Sequence, residues 1–318
     1  MPRRIEWTGE RIVPWAPDAQ VIYEHYHRYL WARPLVAGRR VLDLGSGEGY
    51  GAALLADAAS AVTGVDIDER AVEHARANYT GVDFRVGSAT DLSAFADGAF
   101  DAVVAFEMIE HVVEQEQVLA EIARVLARDG LLVMSTPERQ AYSDDRDFSN
   151  PYHERELTQD EFTALLGRHF AAVALFAQRA IAGSRIEALT PAPGHLGLRI
   201  ERAGDGWREA GVPEPLYLVA VACDGALPDL PGESTLVDYG LEVLAERQAT
   251  LDEHVRMLDK RQVELVATAE RARRAEAEAR RVKESVSWRA LERARKLLPE
   301  DSALGRRVRA LMGRLFAR

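Results

Sequence analysis

Glu107, Glu110 and His111 are crowded into the stretch FEMIEH, directly after the apolar run FDAVVA. Two carboxylates and an imidazole at the end of a buried strand are costly unless paired, solvated or holding a ligand. Their i, i+3, i+4 spacing puts all three on one face if the turn is helical. Two oxygens and one nitrogen make a partial site for a hard or borderline divalent ion such as Mg²⁺ or Mn²⁺. His153, in NPYHERELTQDEF just ahead of another predicted helix, is the candidate fourth ligand. Two other readings stand beside the metal site. His111, with Glu110 next to it, can serve as a general base without any ion, or the pair can be purely structural.

A second group lies nearer the N-terminus. VLDLGSGEGYG sets Gly45, Gly47 and Gly49 at a strand-to-helix turn. Glycine there lets the backbone approach a ligand, and a helix N-terminus offers unpaired N–H groups. Asp43 lies two residues before the first glycine. Asp66 closes GVDID about twenty residues after the loop, where an acid can accept both hydroxyls of a ribose. A dinucleotide site would instead prefer G-x-G-x-x-G with no acid ahead of it.

These residues need a scaffold, and the surrounding pattern supplies one. From 41 to 136, RVLDLGSG, AVTGVDID, VDFRVGSA, FDAVVAFE and GLLVMSTP read as strands. YGAALLADAA, ERAVEHARANY and VEQEQVLAEIARVLARDG read as the helices between them. Such alternation predicts βαβ units and an α/β, doubly wound, mostly parallel sheet. LTQDEFTALLGRHF adds a helix with Thr158 as N-cap and Glu161 three residues on. AAVALFAQ and PLYLVAVAC are closing strands, and the Gly-, Pro- and Arg-rich segment 179–215 between them is expected to be a lid or substrate loop.

Beyond a linker at 227–236 a heptad takes over, predicting a coiled coil over 237–284. Val237, Leu244, Leu251, Leu258, Leu265, Ala272 and Ala279 recur every seven residues, with Leu241, Gln248, Val255, Gln262 and Ala269 between them. Self-association into a homo-oligomer is the expectation, against a single solvated helix. The tail 285–318 is basic and amphipathic. It is suited to an anionic membrane surface or a protein partner, or it simply caps the coil.

The 318 residues carry a formal charge of −11. From residue 281 onward the balance is +7, leaving −18 for the rest. The acidic body argues against nucleic acid as a partner. Cys223 is the single cysteine and sits in an apolar run, so it is expected to be a buried thiol and no nucleophile. With no signal-type apolar core in the first thirty residues and no run near the ~20 needed to span a bilayer, a cytoplasmic, reducing location is expected.

The D-x-G-x-G form of the loop, Asp66 after it, FRVGSATDL, FDAVVAFEMIEHV, VLARDGLLVMSTP and PLYLVAVAC, in this order, resemble the class I S-adenosylmethionine-dependent methyltransferases. The resemblance runs from about Glu6 to Cys223, within a domain bounded at 1–226, and implies a seven-stranded sheet. It also implies S-adenosyl-L-methionine as cofactor, with Asp43 at the cationic amino end, Gly45, Ser46 and Gly47 along the chain, and Asp66 and Ile67 at the ribose. Ser88 and Ala89 fall where the family contacts adenine, although Ser88 stands where an acid is usual. Phe106 and Glu107 fall beside the cofactor. The N-terminal TGERIVPW…YEHYHRYLWA is similar to an arm found in a branch associated with surface-glycan assembly. Through it Tyr26 and Arg28, with His27 and Tyr29, would close over the cofactor, unless these rings and Trp31 are only the packing face of a helix. Glu107-x-x-Glu110-His111 followed by His153 resembles the metal site of small-RNA terminal 2′-O-methyltransferases. There an ion grips two vicinal hydroxyls, and a sugar diol offers the same two oxygens.

The function expected from this is O-methylation of a sugar or surface-glycan hydroxyl, metal-assisted or not. A methyltransferase for a small soluble metabolite, or a cofactor-binding scaffold recruiting glycan-assembly partners, are the alternatives.

Overall fold

The computed structural model describes residues 5, 11–16, 18–181, 199–203, 205–238, 240 and 242–316. The start of the N-terminal arm, residues 182–198 and 204 of the 179–215 segment and the Leu241 heptad position lie outside them, as do the side chains of Leu315 and Phe316. The chain forms two compact units, Met1–Val243 and Leu244–Arg318.

In the first unit the strands are β1 (Arg40–Leu44), β2 (Ala61–Asp66), β3 (Val82–Val86), β4 (Phe100–Phe106), β5 (Leu126–Pro137), β6 (Ala172–Gln178), β7 (Ile200–Ala203), β8 (Gly206–Glu209) and β9 (Tyr217–Cys223). Seven of them make one sheet in the order β3-β2-β1-β4-β5-β9-β6. All neighbours are parallel except β9, which runs antiparallel to both β5 and β6. This is the class I methyltransferase fold. The helices are α1 (Ala19–Ala32), α2 (Tyr50–Ala56), α3 (Glu69–Asn78), α4 (Gln115–Val125), α5 (Arg139–Tyr142) and α6 (Gln159–Leu166).

Period-two alternation divides the core into two layers. Leu42, Leu44, Val103, Ala105, Leu132 and Met134 pack with residues of α4 and α6. Val41, Ala102, Val104, Leu131 and Val133 pack with residues of α1, α2 and α3. Continuous apolar runs are what strands covered on both faces require. The same alternation places Asp43 on the α1 side, fully buried. Strand order reverses between β1 and β4, and a sheet of this kind receives ligands outside the carboxyl ends of its strands at that crevice. The glycine loop leaves β1 there, and FEMIEH leaves β4 there.

Three details differ from the sequence expectation. The helix expected to run to Gly130 ends at Val125, because Leu126 already pairs with Phe100 across an irregularity in the β4–β5 ladder. The 179–215 segment contains an antiparallel hairpin, β7–β8. The segment after β9 is held against α1, with His27 bonded to Ser234 (2.9 Å) and the Tyr23 hydroxyl donating to Asp238 (3.2 Å). Cys223 is a buried thiol, as expected.

The second unit contains most of α7 (Glu242–Glu284), then α8 (Val286–Leu297) and α9 (Ala303–Phe316). No residue of the 43-residue α7 is buried. Among the described residues no helix is long and apolar enough to cross a membrane.

Candidate active site

Asp43 is positioned by β1 and covered by α1. Its Oδ1 accepts a hydrogen bond from the Tyr29 hydroxyl (3.2 Å), while Oδ2 has no partner among the described residues. Burial pushes its carboxyl up to about 7, and Asp66 adds to the rise against the Tyr29 bond. A buried carboxylate with one orphaned oxygen is a receptor for a cation.

The glycine loop closes over this strand end. Gly45, Gly47 and Gly49 all have positive φ (79°, 55° and 102°), the region only glycine enters without strain. A Cβ on Gly45 would lie 2.8 Å from Met108 Cγ. The Gly47 N–H donates to Asp66 Oδ2 (2.8 Å), and Asp68 N–H donates to Oδ1 (2.9 Å). Asp66 is thus oriented by backbone donors at the end of β2. Beside it Ile67 is 76% exposed, an apolar surface next to the ribose acceptor. The Ser46 side chain is buried, and its hydroxyl has no partner among the described residues.

Arg28, on α1, is 2% exposed. Its Nη1 donates to Gln178 Oε1 (3.1 Å) and lies 3.3 Å from Glu107 Oε1, and its guanidinium sits 4.7 Å from the Tyr217 ring centroid. Its Nε and Nη2 have no partner among the described residues. Buried polar groups are paired in almost every native structure, so this set needs explaining. An orphaned carboxylate oxygen, an orphaned hydroxyl and an orphaned guanidinium edge match the ammonium and carboxylate of an amino acid. The amino-acid end of S-adenosylmethionine is such a zwitterion, and the residues fit it.

The remaining arm residues divide their roles. Tyr29 lies edge-on to Phe106 (4.9 Å), and Trp31 packs against Phe176 (4.9 Å). Tyr26 stacks on Tyr50, the first residue of α2 (5.0 Å). Ser88 bonds its own loop, its hydroxyl 2.7 Å from Thr90 Oγ1 and accepting from Thr90 N–H. Ala89 is half-buried against the α4-side core.

After Phe106 the chain does not turn as one helix. Glu107 has φ 50°, a left-handed backbone unusual for a residue with a side chain. The 3-10 turn begins only at Ile109. Glu107 therefore leaves the face it was expected to share with Glu110 and His111. Its Oε1 accepts from the Ser135 hydroxyl (2.6 Å) and pairs with Arg28. The structure instead brings Glu110, His111 and His153 together, one ligand atom from each lying within 4.8 Å of the others.

Glu110 is 1% exposed. Its Oε2 accepts from Thr136 Oγ1 (3.1 Å), and Oε1 has no partner among the described residues. Burial, and then the charge of Glu107, raise its carboxyl above the usual range, with His111 opposing. Glu110 is thus a candidate proton carrier or a ligand awaiting a cation. His111 Nδ1 is 3.0 Å from the Tyr152 carbonyl, which can only accept. His153 Nδ1 is 2.6 Å from Glu156 Oε1, and its Nε2 is 2.9 Å from Asn150 Nδ2, which can only donate. In the neutral form both rings therefore carry the proton on Nδ1; His111 Nε2 is then an acceptor nitrogen, while His153 Nε2 already accepts from Asn150. A carbonyl or carboxylate on the far nitrogen is the arrangement that orients metal-binding histidines. The helper residues Asn150 and Glu156 were not singled out from sequence, though they stand three residues either side of His153. Ser135, Thr136, Gln178 and Tyr217 carried no signal, since they come from distant strands.

Residues 42–134 match the family described as methyltransferase domain. A probable S-adenosylmethionine-dependent methyltransferase of Mycolicibacterium smegmatis is 42% identical over 175 residues, spanning 52% of this chain and 65% of that protein. The ubiquinone biosynthesis O-methyltransferase of Thiobacillus denitrificans is 37% identical over 120 residues, spanning 36% of this chain and 52% of its own. This chain covers less than two thirds of either relative. A solved S-adenosylmethionine-dependent methyltransferase from Thermotoga maritima is 20% identical, with a TM-score of 0.47 over 64% of this chain and 90% of that one.

Proposed function

We propose that the N-terminal unit is a class I S-adenosylmethionine-dependent methyltransferase domain and that this chain methylates a hydroxyl of a sugar or glycan. The sulfonium cofactor supplies an electrophilic methyl group. The protein must then hold the acceptor in line and remove its proton. Asp43, Ser46 and Arg28 hold the cofactor's amino-acid end, while Asp66 receives its ribose. Glu107 keeps Arg28 in place.

The observation that carries the reading is Glu110. A buried carboxylate with one orphaned oxygen, beside His111, whose Nε2 is an acceptor nitrogen, and His153, whose Nε2 accepts from Asn150, is a cluster able to carry a proton at the end of β4. Glu110, His111 and His153 are also the residues that would hold a divalent ion, which would lower the pKa of a hydroxyl bound to it. A vicinal diol could offer such an ion two oxygens at once. The name of the Thiobacillus relative supports a hydroxyl as the methylated group, and equally supports a small molecule as the acceptor. The glycan reading rests on the basic tail. α8 and α9 leave Leu297, Leu304 and Leu311 exposed among arginines, a composition suited to an anionic surface where glycan-building enzymes work.

The test is transfer of labelled methyl to a panel of sugars, each paired with the deoxy analogue lacking one hydroxyl of a vicinal diol. Turnover of the diol, stimulated by Mn²⁺ and lost with the deoxy partner, supports the reading. Equal turnover of both partners would contradict the diol, and turnover only on non-sugar metabolites would contradict the glycan.

A further inference from the structure

α7 exposes an apolar edge with no covering among the described residues. Leu251, Val255, Leu258 and Leu265 are 56–70% exposed on a helix that buries nothing. In heptad terms Leu244, Leu251, Leu258 and Leu265 occupy d, while Gln248, Val255 and Gln262 occupy a. Most of the flanking g and e positions along this stretch are polar. Arg247, His254 and Arg261 are at g, and Asp252 and Asp259 are at e. We propose that α7 is one strand of a parallel, in-register, two-stranded coiled coil, its partner being α7 of a second copy of this chain.

Three observations choose this arrangement. First, leucine at every d position of the apolar stretch, with β-branched Val255 between two glutamines at a, favours two strands. Second, the charges are self-complementary only in parallel. In an in-register pair each g residue meets the partner's e residue five positions on. Arg247 then faces the partner's Asp252, and His254 faces the partner's Asp259. The remaining g residues face Val266, Arg273 and Arg280 from Arg261, Thr268 and Ala275, so no like charges meet. An antiparallel pair that overlapped the four leucines would set Asp252 against the partner's Asp259, and His254 against the partner's Arg261. Third, the parallel register stacks Gln248 on its own copy and Gln262 on its own copy, where amides can bond each other. The antiparallel one buries both against leucines, leaving their polar atoms unpaired. Within one chain Gln248 already donates to Asp252 (2.8 Å), holding that carboxylate at the seam.

Beyond Leu265 the seam turns to alanine and Glu276, so pairing fades toward the tail. Chain connectivity then sends both basic tails out of the same end of the rod. Two tails on one assembly raise the effective affinity for an anionic surface without any new contact.

The test uses the full chain. Light scattering at micromolar concentration should give twice the 35.2 kDa chain mass. In a Cys223→Ser background, Leu244→Cys should oxidise to a covalent dimer, since two parallel chains meet at that layer and antiparallel ones do not. Asp252→Arg should weaken association roughly tenfold, and Arg247→Asp with Asp252→Arg should restore it. These two residues are five apart and do not face each other on one helix, so rescue reads the partner chain. A monomeric or trimeric mass, a dimer that fails to cross-link at 244, or no rescue by the charge exchange would each overturn the proposal.

Discussion

Asp43→Asn separates what this carboxyl costs the fold from what it does for the cofactor. In the cofactor-free protein the group is 0% exposed and its pKa lies at about 7, against 3.8 for an ordinary aspartate. The folded state thus holds a proton that the unfolded chain has lost between those values. Stability falls as pH rises through that window. At 1.36 kcal/mol per pKa unit the ionised site costs about 4 kcal/mol above pH 7. Asparagine carries no such cost. Thermal unfolding of the cofactor-free variant should match wild type near pH 4 and exceed it by ~10 °C at pH 8. Binding should move the opposite way. Removing the anion opposite a buried ammonium costs about 3–5 kcal/mol. Calorimetric affinity for S-adenosylhomocysteine at pH 8 should therefore fall by ~10²–10³-fold. Wild-type affinity should gain up to tenfold per pH unit below 7 and then level off, a slope the variant should lose. A variant with wild-type affinity would refute the binding half of the reasoning, and one with no gain in stability at pH 8 the folding half.

Other outcomes follow from single contacts. Gly49→Ala forces φ 102° on alanine and sets its Cβ 2.8 Å from Ala75 and Phe84. Urea unfolding should show a loss of about 2–4 kcal/mol. Arg28→Met leaves the half-buried Glu107 without its cation; stability should drop by about 3 kcal/mol, and KM for the cofactor should rise more than kcat falls. Co-sedimentation of the full chain with anionic vesicles should weaken with added salt and be abolished by Arg306→Glu with Arg307→Glu; binding that ignores salt would argue for a protein partner instead.

The scaffold was readable because strands covered on both faces need apolar runs, and those runs sit between helical segments of ordinary length. The capping box at Thr158 and Glu161 formed as its spacing predicted. Even the face of Asp43 follows from counting by twos along β1. FEMIEH was harder. Spacing assumed a helical turn from Glu107, whereas the backbone there is left-handed and hands that carboxylate to Ser135 and Arg28. Nothing local foretells this, since Ser135 comes from β5 and Arg28 from α1. Arg28 is expected from the arm to close over the cofactor, but its burial depends on Gln178 and Tyr217, which lie about 150 and 190 residues away in sequence. IERA and GWRE alternate weakly and their residues are largely exposed, so the β7–β8 hairpin leaves little signal in the sequence.

The measurement that tests the account most directly is calorimetric titration of Mn²⁺ into metal-stripped protein saturated with S-adenosylhomocysteine, wild type beside Glu110→Ala. One ion per chain in wild type, lost in the variant while S-adenosylhomocysteine still binds, is the predicted result. It would make Glu110, His111 and His153 a metal centre for a diol acceptor. No binding by wild type, or binding untouched by the substitution, would contradict it and leave Glu110 and His111 to act through proton transfer alone.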